Sequence, residues 1–306
     1  MTALRWARIL REIGHRVRIE PQYRGGNCDL MIALHARRSG RSIRLFRRAF
    51  PERPLILALT GTDLYRDLQV NPRARASLKL ATALVTLQPL GLRRLPPAFR
   101  SKAVSIFQSA PAPLRPRSGR RGHFKVCVIG HLRPVKDPFR AALAARLLPE
   151  SSRIRIDHYG KALSRGMATR ARREAARNSR YRWMGEVAHG RILGALQGCR
   201  LVVLTSRMEG GANVIAEALA CGVPVISTRI EGSVGLLGAR YPGYFKVGDT
   251  RALAKLLWRV ETDSRFRARL SSGCRRRAHL IRPERERRAW KALVRRFKGT
   301  VAWKLK

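Results

Sequence analysis

A chain of 306 residues is long enough for two domains of ordinary size, and its 45 % hydrophobic content supports a sizeable core. The formal charge of +46 points toward anionic partners: nucleic acid, anionic membrane surfaces or anionic substrates. Five cysteines without C-x-x-C spacing argue against a disulfide framework or a zinc site, and no apolar run is long enough to span a membrane or form a secretory leader. A reducing cytoplasm is the default location. Arginine is spread along the whole chain, which fits arginine-biased coding with most of these side chains simply solvated.

The chain opens on a helix, TALRWARILREIG, with Leu4, Ile9, Leu10 and Ile13 on one stripe and Gly14 as a C-cap. His15 to Ile19 alternates and reads as a strand. Further strands are expected at Cys28 to His35, Pro54 to Leu59, Leu84 to Leu87 and Val104 to Phe107, with a basic helix over Ser39 to Phe50. Strands alternating with helices build a doubly wound, parallel-sheet domain. Such a domain normally begins with a strand and a glycine-bearing turn, so either the start is placed too late or the chain is truncated; a start placed too late, with roughly 15 residues upstream of Met1, is the expectation. If that turn helps hold a ligand, the 306-residue form is expected to be weak or inactive. The first domain is assigned to 1–112 and a Pro- and Arg-rich linker to 113–122.

The second domain, 123–282, is expected to start with a strand at Lys125 to Gly130 and a helix at Ala141 to Leu148. A strand at Ile154 to Tyr159, a basic helix at Ser164 to Arg177, a short strand at Tyr181 to Gly185 and a helix near Arg191 to Leu196 follow. Then comes LVVLTSRMEGGANVIAEALACGVPVIS, Leu201 to Ser227, which reads as a βαβ unit. Its strand is Leu201 to Leu204, its helix Asn213 to Ala220, and its second strand Val223 to Ser227. A last strand and turn, Tyr244 to Asp249, precede helices at Arg251 to Val260 and Asp263 to Ile281. A basic helix, within 283–306, ends the chain.

Chemistry concentrates in that βαβ unit. Glu209 and Glu217 are separated by seven residues that include Gly210, Gly211, Ala212, Asn213 and Val214. Ligands of open α/β sheets bind at the C-terminal ends of the strands, and the N–H groups of a helix N-terminus suit a diphosphate. Carboxylates on either side each accept hydrogen bonds from a vicinal diol. A ligand with two diols and a diphosphate between them is a nucleotide-sugar. Asp63, in the turn Thr60-Gly61-Thr62-Asp63, suits a base or an orienting group, and equally a helix cap. His35 ends another strand at the same edge, and Gln88 sits similarly. Arg207 precedes Glu209 and suits an anion near the sugar. No D-x-D motif or histidine–carboxylate cluster appears, so no metal is expected.

EGGANVIAEALACGVPV resembles the E-x7-E donor motif of family 4 glycosyltransferases. That resemblance implies the GT-B fold, two Rossmann-like domains facing a cleft, with the terminal helix crossing back to the first. It implies that Glu209 contacts the donor sugar and Glu217 the ribose. Gly130-His131-Leu-Arg133-Pro-Val-Lys136 aligns with the family's G-R-L-x-P-x-K turn. By that likeness Lys136 grips the diphosphate. His131 stands where the family has arginine, and Arg133 supplies the displaced charge.

The chain as a whole resembles one branch of that family, the selenosugar synthases of selenoneine biosynthesis. TALRWARILREIGHRVRI, DLMIALHARRS, ALTGTDLYRDL, VIGHLRPVKDPFRAALAARLLP and YPGYFKVGDT carry this likeness. It implies a UDP-sugar donor, UDP-N-acetylglucosamine or UDP-glucose, and selenophosphate as acceptor, with no cofactor. Thr60, Gly61, Thr62 and Asp63 are assigned to the acceptor. Lys136, Glu209, Arg133, Asp63 and His35 are the candidate catalytic residues. A conventional carbohydrate or lipid acceptor is the alternative, with weak contact at a membrane surface left open. A basic nucleic-acid-binding protein is the alternative of another class; it would gather arginines with aromatics on one face, and no such pattern is visible.

Overall fold

The computed structural model describes residues 2–111 and 122–297. The chain divides into two compact units, one of Met1–Gln108 with Pro283–Lys306, the other of Ser109–Arg282. The linker expected over 113–122 lies, apart from Gly122, outside the described residues.

Among the described residues the first unit is built on a parallel sheet of β1 (Met31–Leu34), β2 (Leu55–Leu59), β3 (Ala83–Thr86) and β4 (Ala103–Ser105), in that spatial order. All five residues of β2 are buried, as a central parallel strand requires. The two-residue period of the strand sends its side chains to opposite layers. Leu55, Leu57 and Leu59 pack with Ile43, Phe46 and Leu78, on the side of helices Gly40–Ala49 and Pro72–Leu80. Ile56 and Ala58 pack with Trp6, Ile9, Trp290 and Val294, on the side of helices Thr2–Glu12 and Pro283–Arg295.

His15 to Ile19 corrects the sequence reading: it forms no strand. Alternation favours an extended segment, but a strand needs a ladder partner, and no described strand pairs with this one. A helical segment runs from Asp63 to Val70, where the cap reading of Asp63 implies a helix, but its first turn, Asp63–Asp67, is π-helical; the helix Pro72–Leu80 was not anticipated.

The second unit holds β5 (Phe124–Ile129), β6 (Ile154–Tyr159), β7 (Tyr181–Gly185), β8 (Leu201–Leu204), β9 (Val225–Thr228) and β10 (Tyr244–Phe245). Every pairing among them is parallel, and the spatial order is β10-β9-β8-β5-β6-β7. From β5 the chain moves one way through β6 and β7. It then crosses back and moves the other way from β8. The strand order therefore reverses between β5 and β8, the position where open α/β sheets form a crevice. Some expected boundaries shift. β9 starts at Val225, β10 ends at Phe245, and the long helix ends at Arg277 before a 3₁₀ turn, Ala278–Ile281. No described helix is long and apolar enough to cross a membrane. All five cysteines are free thiols.

Candidate active site

β5 and β8 lie side by side, with Val126 opposite Leu201 and Cys127 opposite Val202. Their C-terminal ends therefore deliver two loops to one place: Gly130 to Lys136 from β5, and Thr205 to Gly211 from β8. Lys136 sits in a 3₁₀ turn, Pro134–Lys136, and its Nζ donates to Glu209 Oε1. The Ser206 hydroxyl donates to the same oxygen at 2.6 Å. Both loops are cross-tied through their backbones. Thr205 Oγ1 donates to the carbonyls of Lys136 (2.9 Å) and Asp137 (3.0 Å), and Arg207 N–H donates to Val135 O at 2.8 Å. The exposed side chain of Arg207 is thus not what ties it here. From β9, Thr228 Oγ1 donates to Ser206 O at 2.6 Å. A Cβ on Gly232 would lie 2.2 Å from Glu209 O, so only glycine lets the next helix approach this loop.

Gly210 and Gly211 lead into helix Asn213–Ala220, whose N-cap, Ala212, supplies no side-chain cap. Of the first-turn backbone donors, Ile215 N–H is spent on Ala212 O at 2.9 Å, and those of Asn213 and Val214 are left to a ligand or to water. Asn213 Oδ1 is buried there with no hydrogen-bond partner, as is Arg133 Nε in the facing turn. Ala212 and Val214 are buried, so they offer a ligand backbone more than side chain. Glu217 lies one turn into the helix, mostly buried, with His189 Nδ1 4.0 Å from Oε1. His131 is exposed, and its Nδ1 accepts from Lys161 N–H at 3.1 Å. That bond turns Nδ1 toward the loop after β6.

In the first unit, adjacent strands β1 and β2 bring His35 and the turn Thr60–Asp63 together. Asp63 is fully buried. Oδ1 accepts from Thr60 N–H (2.8 Å) and Thr60 Oγ1 (2.9 Å), and Oδ2 from Ala36 N–H (3.1 Å). The carboxylate therefore ties the end of β1 to the end of β2. This geometry fits the orienting reading; three donors converge on the carboxylate, and none of them comes from the helix that follows. His35 has a left-handed backbone, φ 76°, and its Nε2 lies 3.0 Å from Thr62 Oγ1. Nδ1 accepts from Arg38 N–H at 3.4 Å, so Nε2 carries the proton of the neutral ring. Burial lowers the His35 pKa, opposed by Asp63. Gln88 is also buried and is spent on Tyr65 Oη and Leu90 N–H.

The sequence family described as "Glycosyl transferases group 1" matches residues 114–277, more than half of the chain. The chain belongs to the group 1 glycosyltransferases. No curated protein matches it in sequence. Its fold is similar to that of HepE from Anabaena, solved with UDP and glucose, at 18 % identity and a TM-score of 0.74 over 88 % of this chain and 78 % of that one. It is also similar to sucrose-phosphate synthase from Thermosynechococcus elongatus, at 18 % identity and a TM-score of 0.72 over 88 % and 74 % of the two chains. These likenesses are of fold: two parallel-sheet, Rossmann-like domains of the GT-B class.

In this glycosyltransferase the turn after β5 has a support that sequence reading did not find. His158, inside β6 and 1 % exposed, donates from Nε2 to Gly130 O at 3.1 Å and accepts at Nδ1 from the Tyr181 hydroxyl at 3.0 Å. Beside it, a Cβ on Gly160 would lie 2.1 Å from Gly130 O. Burial pushes the His158 pKa down to about 4, partly offset by the bond to Gly130 O. Between about pH 6.5 and 4 the unfolded chain takes up a proton here that the folded glycosyltransferase refuses. The stabilisation is complete above pH 6.5, falls through that window and is absent below it. Urea unfolding should show a loss on the order of 3 kcal/mol from pH 7 to pH 4 that is missing in His158→Gln. Equal pH slopes in the two proteins would remove the assignment.

Proposed function

We propose that this glycosyltransferase is a selenosugar synthase, moving the sugar of a UDP-sugar, UDP-N-acetylglucosamine or UDP-glucose, onto the selenium of selenophosphate. The observation that carries the donor half is the joining of Lys136 to Glu209 at the β5/β8 crevice, beside the uncapped helix that bears Glu217. HepE, similar in fold, was solved with UDP-glucose, which supports a uridine nucleotide as donor. The selenium acceptor is supported by the sequence likeness to selenosugar synthases across both units. A strongly basic chain also concentrates a small, highly charged anion.

Selenium attacks the anomeric carbon, the C–Se bond forms, and the anomeric C–O bond breaks with its electron pair going to UDP. Lys136 has three N–H donors; one serves Glu209, and two remain for the diphosphate as charge grows on it. Arg133, with its buried Nε unpaired, is the second cation in the same turn. First-turn N–H groups of helix Asn213–Ala220 face the same charge. Glu209 holds sugar hydroxyls and Glu217 the ribose diol. The phosphoryl group later passes from selenium to water.

The test is incubation with each UDP-sugar and selenophosphate, reading UDP release and the selenosugar mass. UDP release that needs selenophosphate supports the reading. Transfer to a sugar or lipid acceptor, with none to selenophosphate, would replace it with a conventional glycosyltransferase.

A further inference from the structure

We propose that Arg37 and Arg66, oriented together by the buried Asp67, form a clamp for a phosphate-type anion beside His35 in the first unit. Calling that anion the acceptor rests on the function proposed above; the clamp itself stands on its own geometry.

Asp67 is 3 % exposed, and its two oxygens take one arginine each: Arg37 Nε on Oδ2 at 2.8 Å and Arg66 Nε on Oδ1 at 3.1 Å. Arg37 comes from the loop after β1 and Arg66 from the π-helical turn after β2, so neighbouring strand ends deliver both. Burial works to raise the Asp67 pKa, but the two arginine hydrogen bonds and charges outweigh it, and the net shift is downward. The group stays ionised and holds both guanidiniums.

Each arginine is gripped at its inner nitrogen. An arginine that only neutralises a carboxylate commonly engages it with a two-pronged fork. Here the Nη ends meet no acceptor among the described residues, while the side chains are 44 % and 57 % exposed. Two pre-oriented, outward-facing forks from two chain segments suit an anion with several oxygens that are not coplanar. A carboxylate is satisfied by one fork; a tetrahedral phosphate-type group engages two.

The surroundings agree. His35 Nε2 lies 3.9 Å from Asp67 Oδ2 and donates to Thr62 Oγ1, which frees the threonine proton for an oxyanion. Arg38 adds a third guanidinium, exposed, with its backbone N–H on His35 Nδ1. Arg37, Arg38 and Arg66 face two carboxylates, Asp63 and Asp67, leaving one positive charge in excess with His35 neutral. The left-handed backbone of His35 is a conformation that non-glycine residues seldom adopt, and such conformations gather at ligand sites.

The test uses the full chain, with inorganic phosphate and glycerol 3-phosphate titrated separately by calorimetry at fixed ionic strength. Arg37→Gln and Arg66→Gln should each weaken the bound anion about tenfold or more. Arg48→Gln, on the exposed face of helix Gly40–Ala49, should leave it unchanged, and all three should melt like the parent. Asp67 acts through the arginines, so Asp67→Asn should make Arg37→Gln nearly silent, a non-additivity that a loss of packing would not produce. Tighter inorganic phosphate assigns the clamp to a free anion; tighter glycerol 3-phosphate assigns it to the phosphoryl group of a larger acceptor. Phosphate affinity that is equal in the Arg37, Arg66 and Arg48 variants overturns the clamp. UDP titrated into the same samples separates the two claims: absent UDP binding removes the proposed function, whereas intact UDP binding with unchanged phosphate affinity removes only the clamp.

Discussion

Lys136→Ala should lower kcat for UDP release by about 10²–10³, the scale seen when one donor to developing charge is removed. Two losses combine in this substitution. Under the proposed function the diphosphate loses a cation, and Glu209 loses the Nζ that fixes its Oε1, leaving only the Ser206 hydroxyl on that oxygen among the described residues. A carboxylate no longer neutralised would then face the sugar beside an anionic diphosphate. The loss should fall mainly on kcat, because charge on the leaving oxygen is greatest in the transition state. Lys136→Arg should recover little. The planar guanidinium demands a different approach from a point ammonium, and the 3₁₀ turn fixes where the side chain starts. Steady-state kinetics with circular dichroism on the same samples check this. A drop below about threefold, with the fold intact, would mean that another cation carries the diphosphate.

The candidate donor residues are legible in the sequence because their signals are local. Glu209, the two glycines, the start of the helix at Asn213 and Glu217 all fall within nine residues, and β8 before them is a continuous apolar run. Lys136 is reached through the likeness of its turn to the family pattern G-R-L-x-P-x-K. The residues that hold these groups in place are not legible, because they act across long sequence separations. Gly232 matters only because Glu209 O is 2.2 Å from where its Cβ would be, and Gly160 because of Gly130 O. His158 sits in a strand that reads as ordinary alternation, and nothing near it announces a bond to a carbonyl 28 residues earlier. Arg37 and Asp67 are 30 residues apart, and the turn that carries Asp67 is π-helical, a form with no simple periodic signature. The misreading of His15 to Ile19 has a related origin. A period of two describes which way side chains point, whereas a strand is defined by hydrogen bonds to a neighbour that the segment's own residues do not encode.

Trp290→Ala should destabilise the first unit by about 3–5 kcal/mol, the usual cost of removing a large buried aromatic. Trp290 is fully buried and meets Trp6 edge-on, with ring centroids 4.6 Å apart. It lies on helix Pro283–Arg295, whose sequence is strongly basic but whose inward face carries Leu293, Val294 and the buried Glu286. Glu286 Oε1 accepts from Trp6 Nε1 at 2.6 Å, and Oε2 lies 3.4 Å from Arg5 Nε. Two helices from opposite ends of the chain are thereby joined over one face of the sheet. Ile56 and Ala58 of β2 and Val85 of β3 pack into the same layer. The other face of β2 faces the layer of Leu55, Leu57 and Leu59, and its C-terminal end carries Thr60 to Asp63. A cavity under this helix should therefore reach the candidate acceptor residues through the strand that bears them. Urea unfolding should show a lower midpoint, and hydrogen exchange should rise first in β2 and β3. Trp290→Phe keeps an aromatic ring against Trp6 and should cost distinctly less. Unchanged exchange in β2 alongside a lowered midpoint would mean that the terminal helix opens on its own, without the sheet.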